Sequence, residues 1–246
     1  MPQVLEVQQT TGSKQYDYRI LIPLHNPDHV IPLMKLAVPI AKASDAEIIV
    51  LGVINVPRNL PPHEGMRFVH HKTPLLRKAI EYGNEQGVET RSAIRIANQI
   101  WDGILQAAEV EKATLILMGW KGFTTTRDRI MGEVSDKVVR LAPCDLITVK
   151  LLGDRPIRRI LITTAGGPHA SLAAEYVGIY HDAEGYEVTC CYVVEPNAGE
   201  DDRESARQWI QKTIVNFYYD SIKSLFSSIT SSAIETASSN VSMPLM

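Results

Sequence analysis

Three glycines and the acid after them are the residues in this chain best placed to do chemistry. Gly119-Trp-Lys-Gly122 is followed by nine residues, then by Gly132 and Glu133. The apolar run Ala113-Thr-Leu-Ile-Leu-Met118 precedes the loop and reads as a buried strand, and Glu133-Val-Ser-Asp-Lys-Val-Val-Arg140 follows it as a helix. Glycine admits positive φ and close backbone approach. A strand, a glycine loop and a helix start aim free N–H groups and a positive dipole end at one point, which suits a phosphate. The spacing is neither the P-loop nor the GxGxxG dinucleotide fingerprint. Lys121, Arg127 and Arg129 add positive charge in or beside the loop. Thr124-Thr-Thr126 offers hydroxyls to a phosphate or simply to water, since loops are polar anyway. A plainer reading also stands, in which the glycines only end a strand and admit a tight turn. Trp120, an aromatic inside the loop, either covers a ligand, packs into a partner surface or packs on its own domain.

The elements that must position this loop alternate. Strands are expected at Tyr18–Leu24, Glu47–Val56, Val88–Ile96, Leu115–Met118 and Asp145–Leu151. Helices are expected at Asp28–Lys42, Met66–Gln86 (ending at Gly87), Asn98–Glu109 with Asn98 as cap, and Glu133–Leu141. A Pro-rich loop runs from Pro57 to Pro62. The alternation predicts an α/β fold: an open, twisted, parallel five-stranded sheet with helices on both faces, Rossmann-like. Ligands of such sheets bind outside the carboxyl ends of the strands, where strand order switches, and the glycine loop leaves the fourth strand at that edge.

An offset of 140 residues reveals an internal repeat. Arg19-Ile-Leu-Ile22 returns as Arg159-Ile-Leu-Ile162, His29 as His169, Glu47 as Glu187, Val53 as Val193, and Ser92-Ala-Ile94 as Ser232-Ala-Ile234. One constant offset over so many blocks reads as a tandem duplication. The domains are therefore expected at 16–152 and 157–246. Met246 falls on Gln106, so the second copy stops before any counterpart of the glycine loop. It is expected to hold Arg158–Thr164, His169–Asp182, Glu187–Val194, a helix over about 201–226, and a third strand near Ile229–Thr236. The Ser/Thr-rich tail could equally be disordered by composition.

Composition excludes several classes. Twenty-five Lys and Arg against 28 Asp and Glu give a net charge of −3, with no basic stripe interleaved with aromatics, which argues against nucleic acid as a partner. Apolar runs are strand-sized, and the N-terminus shows no secretory pattern. Cys144, Cys190 and Cys191 form neither a disulfide framework nor a metal spacing. A cytoplasmic protein is expected. His63, Glu64, His70 and His71 hint at a metal, but His70 and His71 cannot share a helix face, so no metal site is expected there. No Ser/His/Asp or Cys/His constellation or GxSxG elbow is visible, so no catalytic residue is assigned.

The ordered blocks Arg19-Ile-Leu-Ile-Pro23, Val53-Ile54, Leu117-Met-Gly119, the spaced glycines and Ala142-Pro-Cys-Asp145 resemble the universal stress protein family. The likeness covers Tyr18 to about Lys150 fully, and Ile157 onward in part. Met118-Gly-Trp-Lys-Gly122 and Gly166-Gly-Pro-His169 also resemble tandem modules fused to prokaryotic amino-acid permeases or ion transporters. The family implies a dimerising α/β module, non-catalytic or weakly ATP-hydrolysing, with one branch binding ATP. In that branch Pro23 and the residue two further on, His25, would lie near adenosine, with Val53 and Met118 around the base. Gly119, Gly122 and Gly132 would shape the phosphate loop, with Glu133 and Val134 following.

Two positions depart from the family pattern. His25 stands for an acid, and Glu133 stands for the Ser or Thr after the third glycine. His25 is either a pH-responsive group at a pocket mouth or a hydrogen-bonded structural histidine. A like charge about 4 Å from a phosphate costs roughly 1 kcal/mol in water and about 4 at an effective dielectric of 20. That weakens binding by about one to three decades. Loop cations, or Mg²⁺ recruited by Glu133, would offset it. The sequence is compatible with three functions. They are a non-enzymatic regulatory module binding ATP in the first copy, a nucleotide-free homodimerising interaction domain regulating a membrane transporter, and a slow ATPase.

Overall fold

The apolar runs of residues 18–150 become strands, and the helical-period segments between them become crossovers. The computed structural model describes residues 4–9, 14–120, 132–151, 157–195, 197 and 199–229. The chain divides into two compact units, Met1–Pro156 and Ile157–Met246. The first holds β1 (Val4–Gln9), β2 (Arg19–Leu24), α1 (Val30–Ala43), β3 (Glu47–Asn55), α2 (Val69–Glu85) and β4 (Thr90–Ala97). It continues with α3 (Ile100–Val110), β5 (Leu115–Trp120), α4 (Glu133–Leu141) and β6 (Asp145–Lys150). The sheet order is β1-β4-β3-β2-β5-β6.

Five of these strands run parallel, from β4 across to β6. The sixth was not expected: β1 pairs antiparallel with β4, Val4 opposite Ala97, with an irregularity between Glu6 and Gln8. The ordered domain therefore begins upstream of residue 16. Three of its six residues, Val4, Leu5 and Val7, are apolar, but a run this short without strict alternation carries a weak strand signal, and its position at the sheet edge asks for little.

β3 explains the rest of the layering. Every residue from Glu47 to Ile54 is buried, as a central parallel strand covered on both faces must be. Leu21, Ile49, Leu51 and Val53 pack against Ile104, Ala107 and Ala108 of α3 and Val138 of α4. On the other face, a Cβ at Gly52 would touch Lys72 and Leu76 of α2. Each buried aliphatic side chain contributes on the order of 2 kcal/mol. Gly87 takes φ +75 after α2, which turns the chain into β4.

Asn98 does not cap α3. Its amide donates to the carbonyls of Val56 (3.1 Å) and Pro57 (3.3 Å), tying two strand ends together, and Gln99 holds the cap position without a side-chain bond. Toward the other end of the sheet, Glu47, Arg91, Arg95 and Glu111 are all buried and paired. Arg91 meets Glu47 at 2.7 Å and Glu111 at 2.9 Å, Arg95 meets Glu111 at 2.7 Å, and Arg19 reaches Glu47 at 2.9 Å. Removing one partner of such a group leaves a buried charge, at a cost of about 3–5 kcal/mol.

The second unit holds β7 (Arg159–Thr163), α5 (Pro168–Glu184), β8 (Glu187–Cys191) and α6 (Glu200–Ile229). β7 and β8 pair in parallel with Arg159 opposite Glu187, as Arg19 lies opposite Glu47. Other details recur 140 residues apart. Glu47 N–H donates to Tyr18 O (3.2 Å) and Glu187 N–H to Arg158 O (3.0 Å). The first helix of each unit, α1 and α5, ends near a positive-φ residue, Asp45 (φ 44) and Gly185 (φ 68). Thr73 and Thr213 each donate to the carbonyl four residues back, Val69 and Trp209. Of the strand expected near Ile229–Thr236, Ile229 ends α6, and residues 230–236 lie outside the described residues.

Candidate functional site

The strand order switches between β2 and β5. β2, β3 and β4 step outward on one side, β5 and β6 on the other, so the helices leaving β2 and β5 diverge and open a crevice beyond the strand ends. A cavity of about 360 Å³ fills that crevice. Pro23 and His25 line it from the end of β2, Val53 from β3, and Met118 and Gly119 from the end of β5. Gly132, Glu133 and Val134 close it from the start of α4. Eight of the nine residues singled out from the sequence thus share one cavity. The ninth, Gly122, lies outside the described residues, as do Lys121, Thr124 to Thr126, Arg127 and Arg129.

Leu24, Leu51, Ile100, Ile104 and Ser135 line the cavity too. Ile100 and Ile104 sit one turn apart on α3, so their i, i+4 spacing presents them together. Most of the lining is aliphatic, which suits a flat apolar ring better than a charged group. The polar groups gather at the α4 end. Gly132 caps α4 with φ 90, and its carbonyl accepts from the N–H of Asp136 at 2.9 Å. Only glycine adopts that backbone cheaply. The first turn of α4 thus brings Glu133 and Ser135 to the cavity wall, where the helix's first backbone N–H groups lie. Ser135 places a hydroxyl two residues after the position where the family carries one. That near-miss was readable in the sequence as Gly132-Glu-Val-Ser135.

The mouth carries positive charge. Lys72 of α2 places its ammonium 3.4 Å from His25 Nδ1, and burial lowers the lysine's pKa from its ordinary value. His29 stands close by, since a Cβ on Gly119 would lie 3.1 Å from its Nδ1. A side chain at 119 would crowd that ring, so glycine there leaves room for His29 beside the cavity. Trp120 does not line the cavity. It is half-buried, with the Lys150 ammonium of β6 5.7 Å from its ring centroid, so it packs within its own domain.

The His63–His71 region is organised by ring contacts. His71 stacks on Phe68 at 6.1 Å, and the His70 and His71 rings lie 4.0 Å apart. Among the described residues no group of three or more His, Cys, Asp or Glu is placed to hold a metal. No helix among them is long and apolar enough to cross a membrane.

Known proteins converge on the same assignment. The universal stress protein family profile matches residues 18–150. Universal stress protein MJ0531 of Methanocaldococcus jannaschii is 28% identical over 139 residues, covering 54% of this chain and 81% of that protein. The Na⁺/H⁺ antiporter NhaS5 of Synechocystis is 28% identical over 151 residues, 60% of this chain. The matched stretch spans only 22% of the antiporter's own length. The crystal structure of a universal stress protein from Archaeoglobus fulgidus superimposes with a TM-score of 0.57 at 18% identity, over 78% of this chain and 72% of that one. That similarity shows a shared fold. With its profile match spanning more than half the chain, and its parallel sheet and crevice in place, this chain belongs to the universal stress protein family.

Proposed function

We propose that the first unit is a regulatory nucleotide sensor that takes an adenine nucleotide, ATP foremost, into the crevice between β2 and β5. The observation that carries this reading is the convergence of eight separately chosen residues on one cavity at the sheet's switch point. The aliphatic walls of Leu51, Val53, Ile104 and Met118 would sandwich the base. Gly119 and Gly132 would let backbone approach the phosphates near the start of α4. A carboxylate and a hydroxyl, Glu133 and Ser135, are hard oxygen donors of the kind Mg²⁺ accepts, so they fit a phosphate-bound Mg²⁺ at that end.

The second unit would be a second copy of the module, serving as a built-in dimer partner. The 140-residue recurrence of strand register, helix-end φ and threonine back-bonds supports this. The setting would be cytoplasmic, the assembly a homodimer, and the output regulation of a membrane transporter. An antiporter carrying a similar stretch in about a fifth of its length supports that last point.

Glu133 favours a second reading. It puts negative charge at the phosphate end, and His25 withdraws the acid that the family places near adenosine. Under that reading the pocket is empty and the domain works as an interaction module. A slow ATPase ranks third.

Filling the aliphatic end separates the readings. Val53→Trp should abolish ATP binding measured by equilibrium dialysis, while circular dichroism reports a folded protein. Ile104→Phe, a milder filling, should weaken binding if the tryptophan variant misfolds. ATP retention by both folded variants, or none by the unaltered protein, would overturn the sensor reading. Release of inorganic phosphate during the incubation would move the assignment to an ATPase.

A further inference from the structure

The stretch from Pro57 into α2 displays large apolar side chains among cations. Its backbone is held to the sheet. Pro62 is buried, and a Cβ at Gly65 would lie 2.5 Å from Ile96 Cγ2 and 2.9 Å from Val56 Cγ2. Gly65 must therefore stay bare for the 3-10 segment Pro62–Phe68 to seat. With the backbone so fixed, Leu60, Met66 and Phe68 still point outward, 39%, 48% and 44% exposed. Three large apolar side chains within nine residues of a pinned segment are displayed by construction.

Positive charge brackets them. Arg58 precedes the apolar tip and Arg67 interrupts it. The solvent stripe of α2 continues with His70, His71, Pro74, Arg77 and Lys78, all exposed, and turns acidic only beyond them, at the exposed Glu81 and Glu85. Lys72 turns inward to His25 and does not belong to this face. Residues 57–78 contain a single acid, Glu64, engaged by Arg67 at 3.2 Å and flanked by His63 at 3.9 Å. The whole chain carries a net charge of −3, so this face opposes the average sign of the molecule. The Arg67 guanidinium lies 5.2 Å from the Phe68 ring centroid and the His71 ring stacks on Phe68, so cation and apolar tip form one unit.

We propose that this face, Pro57 to Lys78, docks the chain on an anionic lipid bilayer. Leu60, Met66 and Phe68 would enter the headgroup–acyl boundary, and Arg58, Arg67, Arg77 and Lys78 would lie against the lipid phosphates. An exposed apolar tip flanked by an excess of cations is the pattern of interfacial membrane segments. A protein partner would more often be met by mixed signs that fix one register. The inference does not depend on nucleotide binding, because none of these side chains lines the crevice.

The test is co-sedimentation of the full chain with vesicles of phosphatidylcholine mixed with phosphatidylserine, against phosphatidylcholine alone. The expected result is binding to the anionic vesicles only, lost at high salt. Phe68→Asp and Met66→Asp should each weaken it by about tenfold or more, and Arg67→Glu by at least about fivefold. Lys42→Glu on α1 should leave it unchanged. Thermal melts would show that the variants remain folded, and Phe68→Ser serves if Phe68→Asp does not fold. Equal binding to neutral vesicles, no binding to either, or full binding by folded Phe68 variants would overturn the proposal. Binding to polyglutamate but not to vesicles would overturn it in favour of an acidic protein surface.

Discussion

The two units begin alike and end differently at the same place. In the first, the space beyond β2, β3 and β5, walled by α3 and α4, is a cavity of about 360 Å³. In the second, the corresponding ends of β7 and β8 are covered from α6. Trp209 packs directly over Gly166, where any Cβ would collide with its ring. Thr213 and Thr164 share a hydroxyl–hydroxyl bond of 2.8 Å, both buried, and Thr164 Oγ1 accepts from the Gly166 N–H at 3.0 Å. The position 140 residues before Trp209 is Val69, and Leu24-His-Asn26 stands where Thr164-Ala-Gly166 does. The first unit's crevice also needs β5, α3 and the start of α4, which have no counterparts among the second unit's described residues, and there α6 packs over the strand ends instead. The first unit keeps its crevice, and the second uses the same ground for packing.

The largest test of this contrast is Gly166→Val. Gly166 sits at φ +75 with Trp209 against it, so a branched side chain there meets both backbone strain and overlap. The expected cost is about 3 kcal/mol or more, read as early loss of the second unit's structure in a thermal melt or limited proteolysis. Nucleotide binding by the first unit should persist. A variant that melts like the unaltered protein would show that Trp209 does not seal that edge.

Glu133→Ser comes next. It restores the family's hydroxyl after the third glycine and removes a negative charge from the phosphate end. ATP affinity should rise about tenfold or more, and adenosine affinity should change little. Equal affinity for ATP in both proteins would sink the electrostatic account of that departure.

The sequence exposed the crevice but not its filling. Central strands such as β3 announce themselves as unbroken apolar runs because both faces are buried, and the glycine spacing is local in sequence. The closure of the second unit rests on a contact between residues 166 and 209, on different elements, and no spacing rule reports it. The burial of Arg91 and Arg95 is hidden from the sequence for the same reason. In Thr90-Arg-Ser-Ala-Ile-Arg95 they look solvent-facing, yet both are buried because Glu111, at the far end of α3, meets them. β1 is hard to read because a six-residue edge strand of mixed polarity resembles a tail. Ile100 and Ile104 read as ordinary core positions, and only the fold turns them toward the cavity. Asn98 looked like a helix cap because Asn often is one, but its two strand-end carbonyls come from residues 56 and 57.

The smallest effect concerns α3, which has no counterpart among the second unit's described residues. Asp102, in its first turn, is buried, and its Oδ2 meets no hydrogen-bond donor among the described residues. Burial first, and Glu109 second, raise its pKa above the ordinary carboxylate value. The stability favoured by the neutral form is fully present below the ordinary carboxylate range, and it is lost as pH rises through the raised value. Asp102→Asn should therefore raise the melting temperature slightly at neutral pH, by about 2 °C. The gain should vanish on acidification through that window. A gain independent of pH would point to packing instead of charge.

Calorimetric titration of the intact chain with ATP, with and without Mg²⁺ at near-physiological salt, tests the central claim most directly. One open crevice and one sealed edge predict micromolar binding with a stoichiometry of one nucleotide per chain. Two nucleotides per chain would contradict the sealing of the second unit. No heat, together with an unchanged melting temperature at saturating ATP, would contradict the sensor assignment and leave the first unit an interaction module.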